Sequence, residues 1–136
     1  YREQAQRLQS GLGKIMRMAD DGRPLAGNPF IGKAGAQPHI WSYGHRNPQG
    51  LSVDAVTGRL WAHEHGPQGG DELNLIQKGG NYGWNLREAN QPFGNSKRQP
   101  PVTPLIDPIW EYDHQVENGS PEEFTLSHLK KGINWI

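Results

Sequence analysis

Two short stretches of this chain carry groups that could do chemistry. The first, Tyr43-Gly44-His45-Arg46-Asn47-Pro48-Gln49-Gly50, sets a guanidinium and a primary amide side by side at an Asn-Pro turn. Both could reach one planar, oxygen-rich ligand, because the guanidinium fork pairs with two oxygens at once. The alternative is that Arg46 and Asn47 fix the backbone of their own turn.

The second stretch is His63-Glu64-His65-Gly66-Pro67-Gln68-Gly69-Gly70-Asp71-Glu72. In an extended strand His63 and His65 share one face, while Glu64, Asp71, Glu72 and the loop carbonyls offer hard oxygen donors. Zinc held by the two histidines needs a third ligand that this spacing does not supply. Calcium suits carboxylates combined with backbone carbonyls, and a glycine-rich loop lets the backbone come close. Against that stands the plainer reading in which Asp71 and Glu72 are solvated or cap a turn.

The elements that must position these groups follow from composition. With 136 residues the chain suits one domain or a piece of a larger one. It is 33% apolar, and 18 Gly with 11 Pro favour turns and short strands over long helices, hence an all-β or loop-rich fold. Fourteen basic residues balance fourteen acidic ones, so no bulk field draws nucleic acid or an anionic membrane surface. The absence of Cys excludes disulfides, thiolate metal sites and cysteine nucleophiles. No apolar run approaches the roughly 20 residues that span a bilayer, which argues against membrane insertion. Residues 1–12 lack the basic-then-apolar pattern of an export signal.

Along the chain, Tyr1 to Gly13 reads as a polar tail and Lys14 to Met18 as a strand, followed by a long loop over 19–38 with an Asp-Gly turn. His39 to Tyr43 is a second strand that ends at Gly44 and the Asn47-Pro48 turn. Leu51 to Val53 and Leu60 to Ala62 flank a short connection with Gly58, which makes the clearest hairpin. Glu72 to Ile76 alternates polar and apolar, Tyr82-Gly83-Trp84 begins a further short segment, and 87–104 reads as a surface excursion. Leu105 to Tyr112 is the last strand, with Pro108 implying an edge or a bulge. Ser120-Pro121-Glu122-Glu123 carries the signals of a short terminal helix.

The two motifs above, followed by Asp71-Glu72-Leu73-Asn74 and Asn81-Tyr82-Gly83-Trp84, resemble successive motifs of the glucose/sorbosone dehydrogenase family, in particular its soluble aldose sugar dehydrogenases. The resemblance covers about residues 1–114. It implies an all-β fold of antiparallel four-stranded blades, a fragment of a six-bladed β-propeller of which this chain supplies about one to two blades. The tail over 115–136 departs from the family pattern, which suggests truncation or a shifted reading frame.

The same resemblance implies pyrroloquinoline quinone (PQQ) and calcium as cofactors, and oxidation of an aldose at its anomeric carbon to a lactone. By position, Arg46 and Asn47 contact the quinone, His65 lines the cofactor loop, and Phe93 falls where the family can place a tyrosine, without its hydroxyl. Gly66 and Pro67 match a loop whose carbonyls hold calcium, and Glu72 with the Tyr82 carbonyl matches a further calcium position. The general base, a histidine, belongs to an earlier blade, so no catalytic residue is assigned to this chain and His45, His63 and His65 are not promoted to the role. A periplasmic or secreted location is implied; the electron acceptor and a homo-oligomeric state are left open. A calcium-stabilised binding module without redox chemistry is the alternative on the same scaffold. An incomplete propeller would fold poorly alone, with half-covered faces at Trp41, Trp61 and Trp84.

Overall fold

In a computed structural model of the chain, residues 1–67, 70–88, 91–92 and 104–112 are described. Phe93 and the helix expected near 120–132 lie outside them. The described residues form a short 3-10 helix, Arg2–Gln6, and eight strands: β1 Lys14–Met16, β2 Ile40–Tyr43, β3 Pro48–Val53, β4 Leu60–Glu64, β5 Asp71–Ile76, β6 Arg87–Glu88, β7 Gln91–Pro92 and β8 Trp110–Tyr112.

The central unit is a four-stranded antiparallel sheet in the order β3-β4-β5-β8, a meander of the kind that makes one propeller blade. The β3–β4 hairpin closes where expected: Asp54 Oδ1 accepts the Val56 and Thr57 amides, and Gly58 takes a φ of 68°. Beside the sheet, β1 and β2 pair antiparallel, and β6 with β7 forms a two-residue hairpin.

One face of the β4–β5 ladder grades from apolar to charged. Leu60 opposes Ile76, Ala62 opposes Asn74, and Glu64 opposes Glu72. At the apolar end Ala62 and Ile76 pack with Ile15 and Tyr82 in a buried cluster, with Trp41, Leu60 and Ile106 against it. A second cluster of Phe30, Ile40 and Tyr43 anchors the long loop over 19–38.

Two expectations need correction. The opening segment is not a free tail, because Gln6 and Asn81 exchange reciprocal amide bonds of 3.0 and 2.8 Å and Gln6 Nε2 also donates to the Trp84 carbonyl at 2.6 Å. Lys14 Nζ adds bonds to the Gln4, Ala5 and Leu12 carbonyls. These are amide and carbonyl contacts that leave no apolar periodicity in the sequence. The short segment begun by Tyr82-Gly83-Trp84 stays outside the ladders: Asn81 makes single bridges to Tyr43 and Leu105, and positive φ at Gly44 and Gly83 (76° and 89°) turns both chains away. The last strand shrinks to Trp110–Tyr112, since Pro108 separates it from the isolated bridge at Leu105.

Gly44 shows why a side chain is excluded at this crossing. A Cβ there would sit 2.2 Å from Asn81 Oδ1 and 2.8 Å from the Gly83 nitrogen. The close approach lets Trp84 N donate to the Gly44 carbonyl at 2.8 Å, which lays the 81–84 segment against the end of β2.

Tyr82 ties this segment to the sheet. Its hydroxyl donates to the Leu75 carbonyl at 2.6 Å and accepts from Gln77 N at 2.8 Å. Burial pushes its phenol up to about 12, against the opposing pull of the Gln77 N–H, with the Glu64 charge adding to the rise. Because the folded value lies above the ordinary 10, the phenol's contribution is complete below that pH and is lost as pH climbs towards 12. In the intact protein Tyr82→Phe is expected to cost about 1–3 kcal/mol, for two backbone groups lose their partner. It should also remove the part of the alkaline loss of stability between pH 10 and 12 that this phenol causes; thermal unfolding across that window checks both, and identical midpoints would refute the assignment.

Candidate functional site

The site lies where the end of β2, the end of β4 and the 81–84 segment meet. A cleft there encloses about 280 Å³, part of it open to solvent, and is lined by Gly44, Arg46, Glu64, His65, Gly66, Pro67, Gly70, Glu72, Tyr82 and Trp84.

Beneath it runs a buried polar chain. Ser42 Oγ lies 2.8 Å from His45 Nε2, and His45 Nδ1 lies 3.0 Å from Glu64 Oε1. The carboxylate partner assigns the hydrogen to Nδ1. Serine, imidazole and carboxylate in this order have the connectivity of a nucleophilic triad. Yet Ser42 is 0% exposed, His45 1% and Glu64 5%, so no substrate can reach the hydroxyl and the chain is structural. The same enclosure keeps His45 from acting as a base on a sugar hydroxyl.

Glu64 is the hub. Besides His45, its Oε1 accepts from Asn74 Nδ2 at 3.0 Å, while Oε2 accepts the backbone amides of Arg46 at 2.7 Å and Asn47 at 3.2 Å. Four donors offset the cost of burying the charge. The His45 ring stacks on Tyr82 with centroids 4.5 Å apart, which closes the floor of the cleft.

Arg46 is held at both ends. Its amide is bound by Glu64, and its Nη1 donates 2.9 Å to the carbonyl of His65, the residue after Glu64. The guanidinium carbon stands 5.5 Å from the Trp84 ring centroid, a cation–π distance. The remaining guanidinium donors have no acceptor among the described residues.

The loop after β4 is braced by Asp71, whose Oδ1 accepts Gly66 N at 2.8 Å and whose Oδ2 lies 3.2 Å from His65 Nδ1. Asp71 is therefore neither merely solvated nor free for a metal. Carbonyls of Gly66, Pro67 and Tyr82 accept no hydrogen bond from a described residue. Glu72 faces Glu64 across the ladder, and Asn74 Nδ2 bridges the two carboxylates at 3.1 and 3.0 Å. Asn74 Oδ1 is a buried acceptor with no described donor.

The structure thus brings Arg46, His65, Gly66, Pro67, Glu72 and Tyr82 to one cleft. Asn47 does not line it: the residue is exposed and its Oδ1 accepts from Gln49 Nε2 at 2.7 Å. His63 and His65 do not converge, since His63 is exposed over Gly50, where a Cβ would lie 2.0 Å from its Nε2, while His65 turns to Asp71 beyond the strand end. No group of three metal-ligating His, Cys, Asp or Glu side chains exists among the described residues. Ser42, His45 and Asn74 are the members that sequence reasoning missed. Polar residues inside strands that otherwise alternate were the available signal.

Residues 1–127 match the family described as Glucose / Sorbosone dehydrogenase. This chain belongs to that family. The match extends beyond residue 114. Among similar proteins, slr1608 of Synechocystis sp. is 50% identical over 111 residues, covering 79% of this chain and 27% of its own length. Aldose sugar dehydrogenase YliI of Escherichia coli is 52% identical over 85 residues, 62% of this chain and 23% of that protein. The PQQ-bound structure of aldose sugar dehydrogenase from Streptomyces coelicolor superposes with a TM-score of 0.65 at 39% identity, over 83% of this chain and 29% of that one. The chain therefore spans about a quarter of the length of these glucose/sorbosone dehydrogenase relatives. Its four-stranded sheet is a blade of a β-propeller, and the β1–β2 pair stands beside it.

Since Asp71 alone braces the Gly66 amide, Asp71→Ala should loosen the loop, because both that amide and His65 Nδ1 lose their partner. Hydrogen exchange at the Gly66 amide is expected to quicken by about tenfold or more. Unchanged protection there would mean the loop is held by something else.

Proposed function

We propose that the full-length protein carrying this sequence is a PQQ- and calcium-dependent dehydrogenase that oxidises aldose sugars at the anomeric carbon to lactones. The observation that carries the reading is Arg46, fixed at backbone and guanidinium over Trp84, in one cleft with the carbonyl-rich Gly66-Pro67 loop. Family membership and the PQQ-bound relative support it.

The residues present fit both groups. A planar cation with spare donors above an aromatic ring suits the edge of a planar polyanion. For calcium, the donors at the cleft are oxygens: the carbonyls of Gly66, Pro67 and Tyr82 and the Glu72 carboxylate, which also accepts from Asn74, the set a hard cation takes. PQQ, when bound, supplies the quinone that accepts two electrons as hydride from the sugar.

This chain's own contribution is electrostatic. Arg46 would hold a fixed positive charge beside a bound quinone, favouring the negative charge that its reduction builds, without having to reorganise. Trp84 keeps the guanidinium in plane, and the His45–Tyr82 stack excludes water from below. His65 presents its carbonyl to Arg46 and its ring to Asp71, so its part is to shape the loop. Asn47 would reach the quinone with its side chain only after releasing Gln49. An aldose is the substrate in this reading, and a periplasmic or secreted setting goes with it.

Given calcium, PQQ, an aldose and an artificial electron acceptor, the full-length protein should turn over. Arg46→Ala should cut that turnover by about 100-fold, the range for losing one preorganised charge donor, with the thermal midpoint little changed. No turnover by the unmodified protein would favour a calcium-stabilised binding module instead.

A further inference from the structure

Glu64 has no place in the cofactor and metal assignments above, yet it is the most heavily bonded side chain near the cleft. Its two oxygens divide their work. Oε1 faces inward to His45 Nδ1 and Asn74 Nδ2, and Oε2 faces the backbone amides of Arg46 and Asn47. The first pair anchors the carboxylate in the buried face; the second pins the turn that carries Arg46.

Position in sequence couples the two ends of Arg46. Glu64 holds its amide, and the carbonyl of the next residue, His65, holds its Nη1. A single strand end therefore fixes both where the Arg46 backbone starts and where its guanidinium finishes. A long cationic side chain otherwise carries rotamer entropy that a ligand would have to overcome on binding.

We propose that Glu64, clamped by His45 and Asn74, is a positioning residue that presets the Arg46 guanidinium for an anionic planar ligand in the cleft. The proposal rests on the cofactor reading of Arg46 given above. Glu64 touches no ligand itself; it acts through the Arg46–Asn47 turn.

Glu64→Gln tests this with little change of shape. If its NH₂ turns to the backbone amides of Arg46 and Asn47 it meets two N–H donors; if it turns inward it meets the Asn74 NH₂, and His45 must move its ring hydrogen to Nε2. The measurement is PQQ affinity of the full-length apo-protein in the presence of calcium, followed by tryptophan fluorescence, in a double-mutant cycle with Arg46→Ala. Glu64→Gln is expected to weaken PQQ binding about tenfold beside Arg46, and less than about twofold in the Arg46→Ala background. A general structural role would give equal losses in both backgrounds, and that result, or no loss beside Arg46, overturns the proposal. If Arg46→Ala alone leaves PQQ affinity and turnover intact, the cofactor reading itself fails, which is visible before Glu64 is altered. Glu64→Asp keeps the charge one methylene short and should recover part of the affinity. Should Glu64→Gln not fold, Glu64→Asp carries the same cycle, with about threefold loss expected beside Arg46 and none without it.

Discussion

A single buried carboxylate organises this part of the molecule. An anion taken out of water is tolerable only when its lone pairs are used, and Glu64 uses them on donors from two separate segments: His45, Arg46 and Asn47 in the turn after β2, and Asn74 in the middle of β5. Remove the charge and those segments lose their common reference point. The cleft exists because strands that pack through apolar residues at one end meet through polar ones at the other.

That grading is written along one face of two strands. Ala62 and Ile76 bury against Ile15 and Tyr82, and towards the far end of the ladder the same face has become Glu64 and Glu72, opposed like charges reconciled by the Asn74 amide. Apolar burial supplies the stability, and hydrogen bonds supply the shape. The N-terminal helix buries Ala5 and also contributes by the second route, since Gln6 grips Asn81 and the Trp84 carbonyl and so holds one wall of the cleft from outside the sheet.

Much of this was legible in the sequence. Alternation and turn residues located β2, the β3–β4 hairpin and β5, because these strands bury one face and obey a period of two. The motif residues Arg46, Gly66, Pro67, Glu72 and Tyr82 do meet in space. What escaped was contact made through amides and backbone. Gln6 has no apolar pattern to announce its docking, Gly44 and Gly83 turn chains that look extended on paper, and His45 looks like a turn residue until Glu64 and Ser42 are seen to enclose it. Asn47, adjacent to Arg46 in sequence, points its amide at Gln49 because a turn sends successive side chains apart.

Strand β4 also acts as a ruler. Its five residues count out the distance from Leu60, inside the apolar cluster, to Glu64, and the very next carbonyl is the one Arg46 needs. One residue added or lost within it would reverse the faces, turning the carboxylate to solvent and a histidine inward. Length between positions 60 and 65 is thus fixed by the geometry as firmly as the carboxylate itself. By contrast, the exposed connection from Asp54 to Arg59 can lengthen or shorten freely, so natural variation in chain length should collect on that rim of the blade and spare the other.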